Sequence, residues 1–203
     1  MRIGILGTGR VANAVGNGWA AAGHDVVLGS RTPAERKDLD LPTVGLRDAA
    51  AHGDVVVNAT SGRVSLDVLG QVGAESLAGK ILIDIALAMT PELQLVYPDS
   101  SLAEQIQSAF PQAKVVKTLS NINSALMTNP TALSGPSTVF LSGNDAEAKQ
   151  TVAALLTDLG WTTDYQLDLG DITTARGPEH LVPLLVAVFK AIGTTTVNIN
   201  IVR

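Results

Sequence analysis

The sequence predicts an α/β protein built on a doubly wound parallel sheet, on three observations. Short β-forming runs alternate with longer helical stretches, the innermost runs are apolar without alternation, and a glycine loop separates the first run from the first helix. The alternation reads Arg2–Leu6, Val11–Ala22, Asp25–Leu28, Asp54–Ala59, Lys80–Ile85 and Lys114–Lys117. Val55-Val56-Val57 and Ile81-Leu82-Ile83 carry no polar residue, as expected of central strands covered on both faces.

A second, smaller α/β unit is expected after Gly143. Asp145 is placed to cap a helix through Leu159, and a strand is expected around Trp161–Leu167. Pro178 suits the start of a further helix, and Leu181–Ile192 is so apolar that it predicts burial against the main domain or a second subunit. Beyond Gly193 the stretch Val197–Ile201 alternates with period two, which predicts a terminal strand. The expected division is therefore 1–143 for a nucleotide-binding unit and 144–203 for a small C-terminal unit carrying the apolar helix and that strand.

Composition narrows the function. The chain has 203 residues, 46% of them hydrophobic, enough for a full core. A formal charge of −5 and the lack of any Lys/Arg run argue against a nucleic-acid partner. With no cysteine there is no disulfide, thiolate metal site or cysteine nucleophile. No stretch approaches the roughly 18 apolar residues of a membrane span, so a cytoplasmic protein without a membrane partner is expected.

Gly7-Thr8-Gly9-Arg10-Val11-Ala12 is a G-x-G-x-x-A loop between the first strand and the first helix, the dinucleotide-binding arrangement of a Rossmann-type sheet. Gly7 permits the turn, Gly9 lets the backbone approach a pyrophosphate, and Ala12 allows close packing of helix on strand. About 20 residues on, where a carboxylate would hold the ribose of NAD, the chain has Gly29-Ser30-Arg31. Ser30 and Arg31 can instead bond a 2′-phosphate, which predicts NADP(H), with Arg10 and Arg36 adding positive potential. Asn58-Ala59-Thr60-Ser61 ends another strand at the same sheet edge, so Ala59, Thr60 and Ser61 are candidates for the pyrophosphate or the nicotinamide ribose. The apolar Ala86-Leu87-Ala88 suits a wall of the ring pocket or simple packing.

Acid–base groups are scarce. His24, His52 and His180 have no metal-ligand spacing, and no G-x-S-x-G elbow is present. Lys117, Asp171 and Tyr165 are better explained as structural, so no catalytic side chain is expected. Such poverty fits direct hydride transfer between planar rings, which needs stacking more than a positioned proton donor.

These residues carry a resemblance. Gly4-Ile5-Leu6-Gly7-Thr8-Gly9, Gly29-Ser30-Arg31, Val115-Val116-Lys117, Phe140 to Asp145, Leu167 to Asp171, Ala175-Arg176-Gly177 and Val202-Arg203 make the chain similar to NADPH-dependent coenzyme F420 reductases over essentially its whole length. The resemblance implies a Rossmann domain carrying NADP(H), coenzyme F420 as co-substrate, a small C-terminal part over the deazaflavin, and a homodimer. Two loops depart from the pattern: Ala86-Leu87-Ala88 stands where many relatives have Ser-Asn-Pro, and Ser120-Asn121 where they have Asn-Thr. Both loops, with Ala86 and Ser120 as their candidate contacts, are implied to flank the nicotinamide. The departures leave open another flavin, a quinone-like ring or an imine as acceptor, or a non-catalytic NADPH-binding module.

Overall fold

The computed structural model describes residues 1–36 and 39–202. Arg203, the last residue of the closing motif, lies outside the described residues. The first half forms β1 (Arg2–Leu6), α1 (Arg10–Ala21), β2 (Asp25–Ser30), β3 (Thr43–Gly45), α2 (Leu46–His52) and β4 (Val55–Asn58). The chain continues through α3 (Ser65–Val72), α4 (Ala74–Leu77), β5 (Ile81–Asp84), α5 (Leu102–Ala109), β6 (Lys114–Thr118) and α6 (Ser124–Met127). It ends with β7 (Val139–Gly143), α7 (Ala146–Asp158), β8 (Gln166–Asp168) and α8 (Arg176–Ile192).

The strands form a single sheet in the order β3-β2-β1-β4-β5-β6-β7-β8, and every pairing is parallel except β6 with β7. Strand order reverses direction between β1 and β4, which opens a crevice at their carboxyl ends. Because side chains alternate across a strand, one apolar run feeds two cores. Val55 and Val57 pack on one face with α1, α6 and α7, while Val56 packs on the other with α3 and α5. Trp19 and Trp161 are buried on the first face, and each indole N–H donates to a carbonyl at 2.9 Å, Leu155 for Trp19 and Met127 for Trp161. Asp145 caps α7 as expected, accepting from Ala148 N at 2.8 Å.

Several elements differ from the sequence expectation. The strand expected at Trp161–Leu167 is reduced to β8, because Trp161 turns into the core instead of joining the ladder. The alternating stretch Val197–Ile201 forms no strand. Its backbone meets Thr138 through one main-chain bond, Thr138 N to the Ile199 carbonyl at 2.9 Å. Asn198 and Ile201 then bond side chains of Ser137 and Thr138 rather than continuing a ladder. β3 has three residues and β7 lies just before the expected boundary, so periodicity missed both. The sheet runs on past Gly143: β8 pairs with β7 in the same layer. Among the described residues no helix is long and apolar enough to cross a membrane.

Candidate functional site

At the crevice the chain turns sharply from β1 into α1. Gly7 has φ +123°, and a Cβ there would lie 2.7 Å from the Ala59 carbonyl oxygen, so only glycine fits. Its N–H donates to the Gly29 carbonyl at 2.9 Å, tying the turn to the end of β2. Gly9 precedes α1 with no side-chain cap, and a Cβ there would meet nothing within 4 Å. Among the described residues no side chain caps the first turn of α1, and an anionic pyrophosphate is the kind of acceptor that such amides take. Two side chains hold the loop carbonyls. Asn13 Nδ2 donates to the carbonyls of Thr8 and Gly9 at 3.0 and 2.9 Å, and Arg36 donates to Thr8 at 2.9 Å.

The cavity above this loop measures about 550 Å³. It brings together the expected Gly7, Thr8, Gly9, Ser30, Arg31, Arg36, Ala59, Thr60 and Ser61, and adds Gly29, Thr32, Leu46, Val64 and Val68. The Ser30 hydroxyl oxygen accepts from Thr32 N at 3.1 Å, which leaves its O–H free to donate outward beside the exposed Arg31. Leu46, Val64 and Val68 supply an apolar wall that the sequence reading overlooked. Four candidates do not line the cavity. Arg10 is exposed on the first turn of α1, and Val11 packs against the core. Ala86 and Ser120 are buried at the ends of β5 and β6, farther along the same carboxyl edge.

Beneath that edge lies a polar row with no counterpart in the sequence reading. Register places Asn58, Asp84 and Lys117 side by side on β4, β5 and β6. The Lys117 ammonium is 1% exposed and bonds Asp84 Oδ2 and Glu179 Oε1, each at 2.8 Å, and the Ala86 carbonyl. Asn58 Nδ2 donates to Asp84 Oδ1 at 2.8 Å, and the Thr60 hydroxyl donates to Asn58 Oδ1 at 2.7 Å. Glu179, from α8, also accepts from Leu102 N at 2.9 Å at the start of α5. Burial pushes the Asp84 carboxyl above the ordinary carboxylate range, against the pull of Lys117. Burial would lower Lys117, but the attraction of Asp84 and Glu179 outweighs it and the net displacement is upward. Two carboxylates share one ammonium in an apolar setting, and Asp84 and Lys117 are both displaced toward holding their protons. A signal existed in part: Asn58 and Asp84 each close an otherwise apolar strand.

The remaining candidates stand apart from the cavity. His24 pairs with Asp158 at 2.9 Å, and His180 Nε2 lies 3.0 Å from the Ser100 carbonyl. Asp171 caps the turn 172–175, and Tyr165 is exposed.

Comparison with known proteins agrees with this geometry. Residues 2–88 match the family described as NADP oxidoreductase, coenzyme F420-dependent. A crystal structure from Arthrobacter sp. FB24, described as a candidate F420-dependent NADP reductase, is 44% identical with a TM-score of 0.92, each chain covered in full. The F420-dependent NADP reductase of Methanocaldococcus jannaschii is 29% identical over 173 residues, 79% of this chain and 75% of that one. Metalloreductase STEAP3 of Rattus norvegicus is 32% identical over 183 residues, 89% of this chain but 36% of that protein, so the chain spans about a third of its length. With a glycine turn, a Ser-Arg pair and a cavity at the sheet's reversal point, and with this kinship over its full length, the chain belongs to the family of coenzyme F420-dependent NADP oxidoreductases.

Proposed function

We propose that this oxidoreductase binds NADPH along the carboxyl edge of β1, β2 and β4 and exchanges a hydride between its nicotinamide C4 and the C5 of coenzyme F420. The observation that carries the reading is the continuity of one cavity from the glycine turn at Gly7, Thr8 and Gly9 to Ser30 and Arg31. Gly7, Thr8 and Gly9, with the main chain of Arg10 and Val11, receive the pyrophosphate. Ser30 and Arg31 take the 2′-phosphate, and Arg36 steadies the loop. Ala59, Thr60 and Ser61 face the adjoining ribose. Bound NADPH supplies the hydride. The chain's own task is to hold two rings with reacting carbons about 3–3.5 Å apart and to exclude water, and no side chain acts as an acid or base. Ala86 and Ser120 flank that place as positioning groups at the ends of β5 and β6.

Residues 144–203 form, in this reading, a covering unit, and α8 joins a homodimer. Its Val182 and Leu185 face the chain's own core while Leu184 and Ile192 are more than half exposed. The departures at Ala86-Leu87-Ala88 and Ser120-Asn121 favour a second reading, in which another flavin, a quinone or an imine accepts the hydride. Mixing enzyme at stoichiometric concentration with NADPH while following deazaflavin absorbance separates the two. Bleaching of the deazaflavin is expected; tight NADPH binding with no bleaching in either direction overturns the F420 assignment and leaves the other acceptors or a binding module.

A further inference from the structure

The buried cluster of Asp84, Lys117 and Glu179 is tied to the backbone beside the cavity through the Ala86 carbonyl and through Asn58. An ammonium has three donors, and all three of Lys117's are placed: two on carboxylates and one on the Ala86 carbonyl. Peptide bonds here are all trans, so a carbonyl drawn toward Lys117 turns the Leu87 N–H the opposite way. The plane of the peptide joining Ala86 to Leu87 is thereby set. That segment packs on the loop after β4 at backbone distance: a Cβ on Gly62 would lie 2.3 Å from the Leu87 carbonyl and 2.4 Å from Ala88 N. Gly62 stands between Ser61 and Val64, both of which line the cavity. From the other side, Asp84 reaches the lining residue Thr60 through Asn58.

We propose that Lys117 is a positioning residue for hydride transfer: by holding the Ala86 carbonyl within the Asp84–Glu179 cluster, it sets the loops after β4 and β5 against which the reacting rings lie. Stability alone accounts poorly for such a device, because replacing a buried ion cluster with apolar groups of similar volume is often neutral or better. A displacement of 1 Å in a hydride-transfer geometry, by contrast, costs on the order of 100-fold in rate. The proposal rests on the hydride-transfer reading above, and it also makes a statement about loop order that needs no turnover.

The test compares three proteins: wild type, Glu179→Gln, and Lys117→Met/Glu179→Gln. Lys117→Met alone would leave two uncompensated carboxylates and could fail to fold. The double variant keeps the cluster's formal charge at that of the wild type, since one cation and one anion leave together. NADPH affinity, kcat with F420, the isotope effect of NADPH deuterated at the transferred position, and amide hydrogen exchange are read on each. The double variant is expected to hold NADPH within about threefold of wild type, to lose tenfold or more in kcat with a larger isotope effect, and to exchange faster at 59–64 and 85–88. Glu179→Gln, which keeps the grip on Ala86, should lose only about threefold. A double variant whose kcat, isotope effect and loop exchange match wild type, with only its melting temperature lowered, overturns the proposal. If wild type binds NADPH but reduces no F420, the acceptor reading fails while the exchange comparison still decides the role of Lys117.

Discussion

Arg36 donates to the carbonyl of Thr8 at 2.9 Å, so a cation from the segment after β2 that lines the cavity also ties down the glycine loop. The consequence is a loop support that serves any dinucleotide. Arg36→Ala is therefore expected to weaken NADPH and NADH by similar factors, about tenfold, in a fluorescence titration. A loss confined to NADPH would place Arg36 on the 2′-phosphate.

Arg31 should behave in the opposite way. It is exposed beside the Ser30 hydroxyl, and among the described residues no carboxylate lines the cavity there. A hydrogen bond to a charged group contributes roughly 1.5–3 kcal/mol, so Arg31→Ala should cost about 10- to 150-fold in NADPH affinity and leave NADH nearly unchanged. Equal wild-type affinities for the two cofactors would remove the NADP preference.

Gly7→Ala tests the turn itself. At φ +123° an alanine is strained, and its Cβ would press on the Ala59 carbonyl at 2.7 Å. We expect a destabilisation of about 2 kcal/mol or more, seen as a lower melting temperature, together with loss of NADPH binding. Gly9→Ala, with open space at the same atom, should fold normally and lose only the cofactor.

The exposed side of α8 predicts self-association. Leu184 and Ile192 are 56% and 55% exposed, whereas Val182 and Leu185 are buried within the chain. Light scattering should give a dimer for wild type and a monomer for Leu184→Asp/Ile192→Asp, with the melting temperature barely changed. A wild type that is monomeric at every concentration would refute the dimer and leave the packing of α8 intact.

Asp145 gives a pH prediction. Its carboxyl is held below the usual range, first by the Ala148 N–H at the start of α7 and then by Lys114. A lowered folded-state pKa means the stabilisation is fully present above the ordinary aspartate value, about 4, and is lost as pH falls from there through the lower folded-state value. Asp145→Asn should melt below wild type at neutral pH, and the gap should close on acidification. A gap that is constant with pH would assign the effect to the cap's shape rather than its charge.

The local half of this protein was readable from the chain. Arg2–Leu6 forms β1 over the expected residues, Asp145 caps α7, and the glycine turn lies between the first strand and helix, because each depends on neighbours in sequence. The buried polar cluster left only a partial trace, Asn58 and Asp84 each ending an apolar strand. Asn58, Asp84 and Lys117, at or near strand ends, look like ordinary solvated residues, and nothing local to them announces the row they form. The alternation at Val197–Ile201 misled in the other direction: two asparagines on one face suggest a strand, yet Asn198 bonds Ser137 and Thr138.

By itself, then, the sequence determined β1, β2, β4, β5 and β6 and the glycine turn between β1 and α1, since periodicity and turn chemistry are short-range. Tertiary structure alone decided that Asn58, Asp84 and Lys117 fall in one row, because strand register sets who stands beside whom. It also decided that Glu179 closes the row, because only the packing of α8 over α5 brings that carboxylate to the ammonium and excludes the water that would otherwise solvate both.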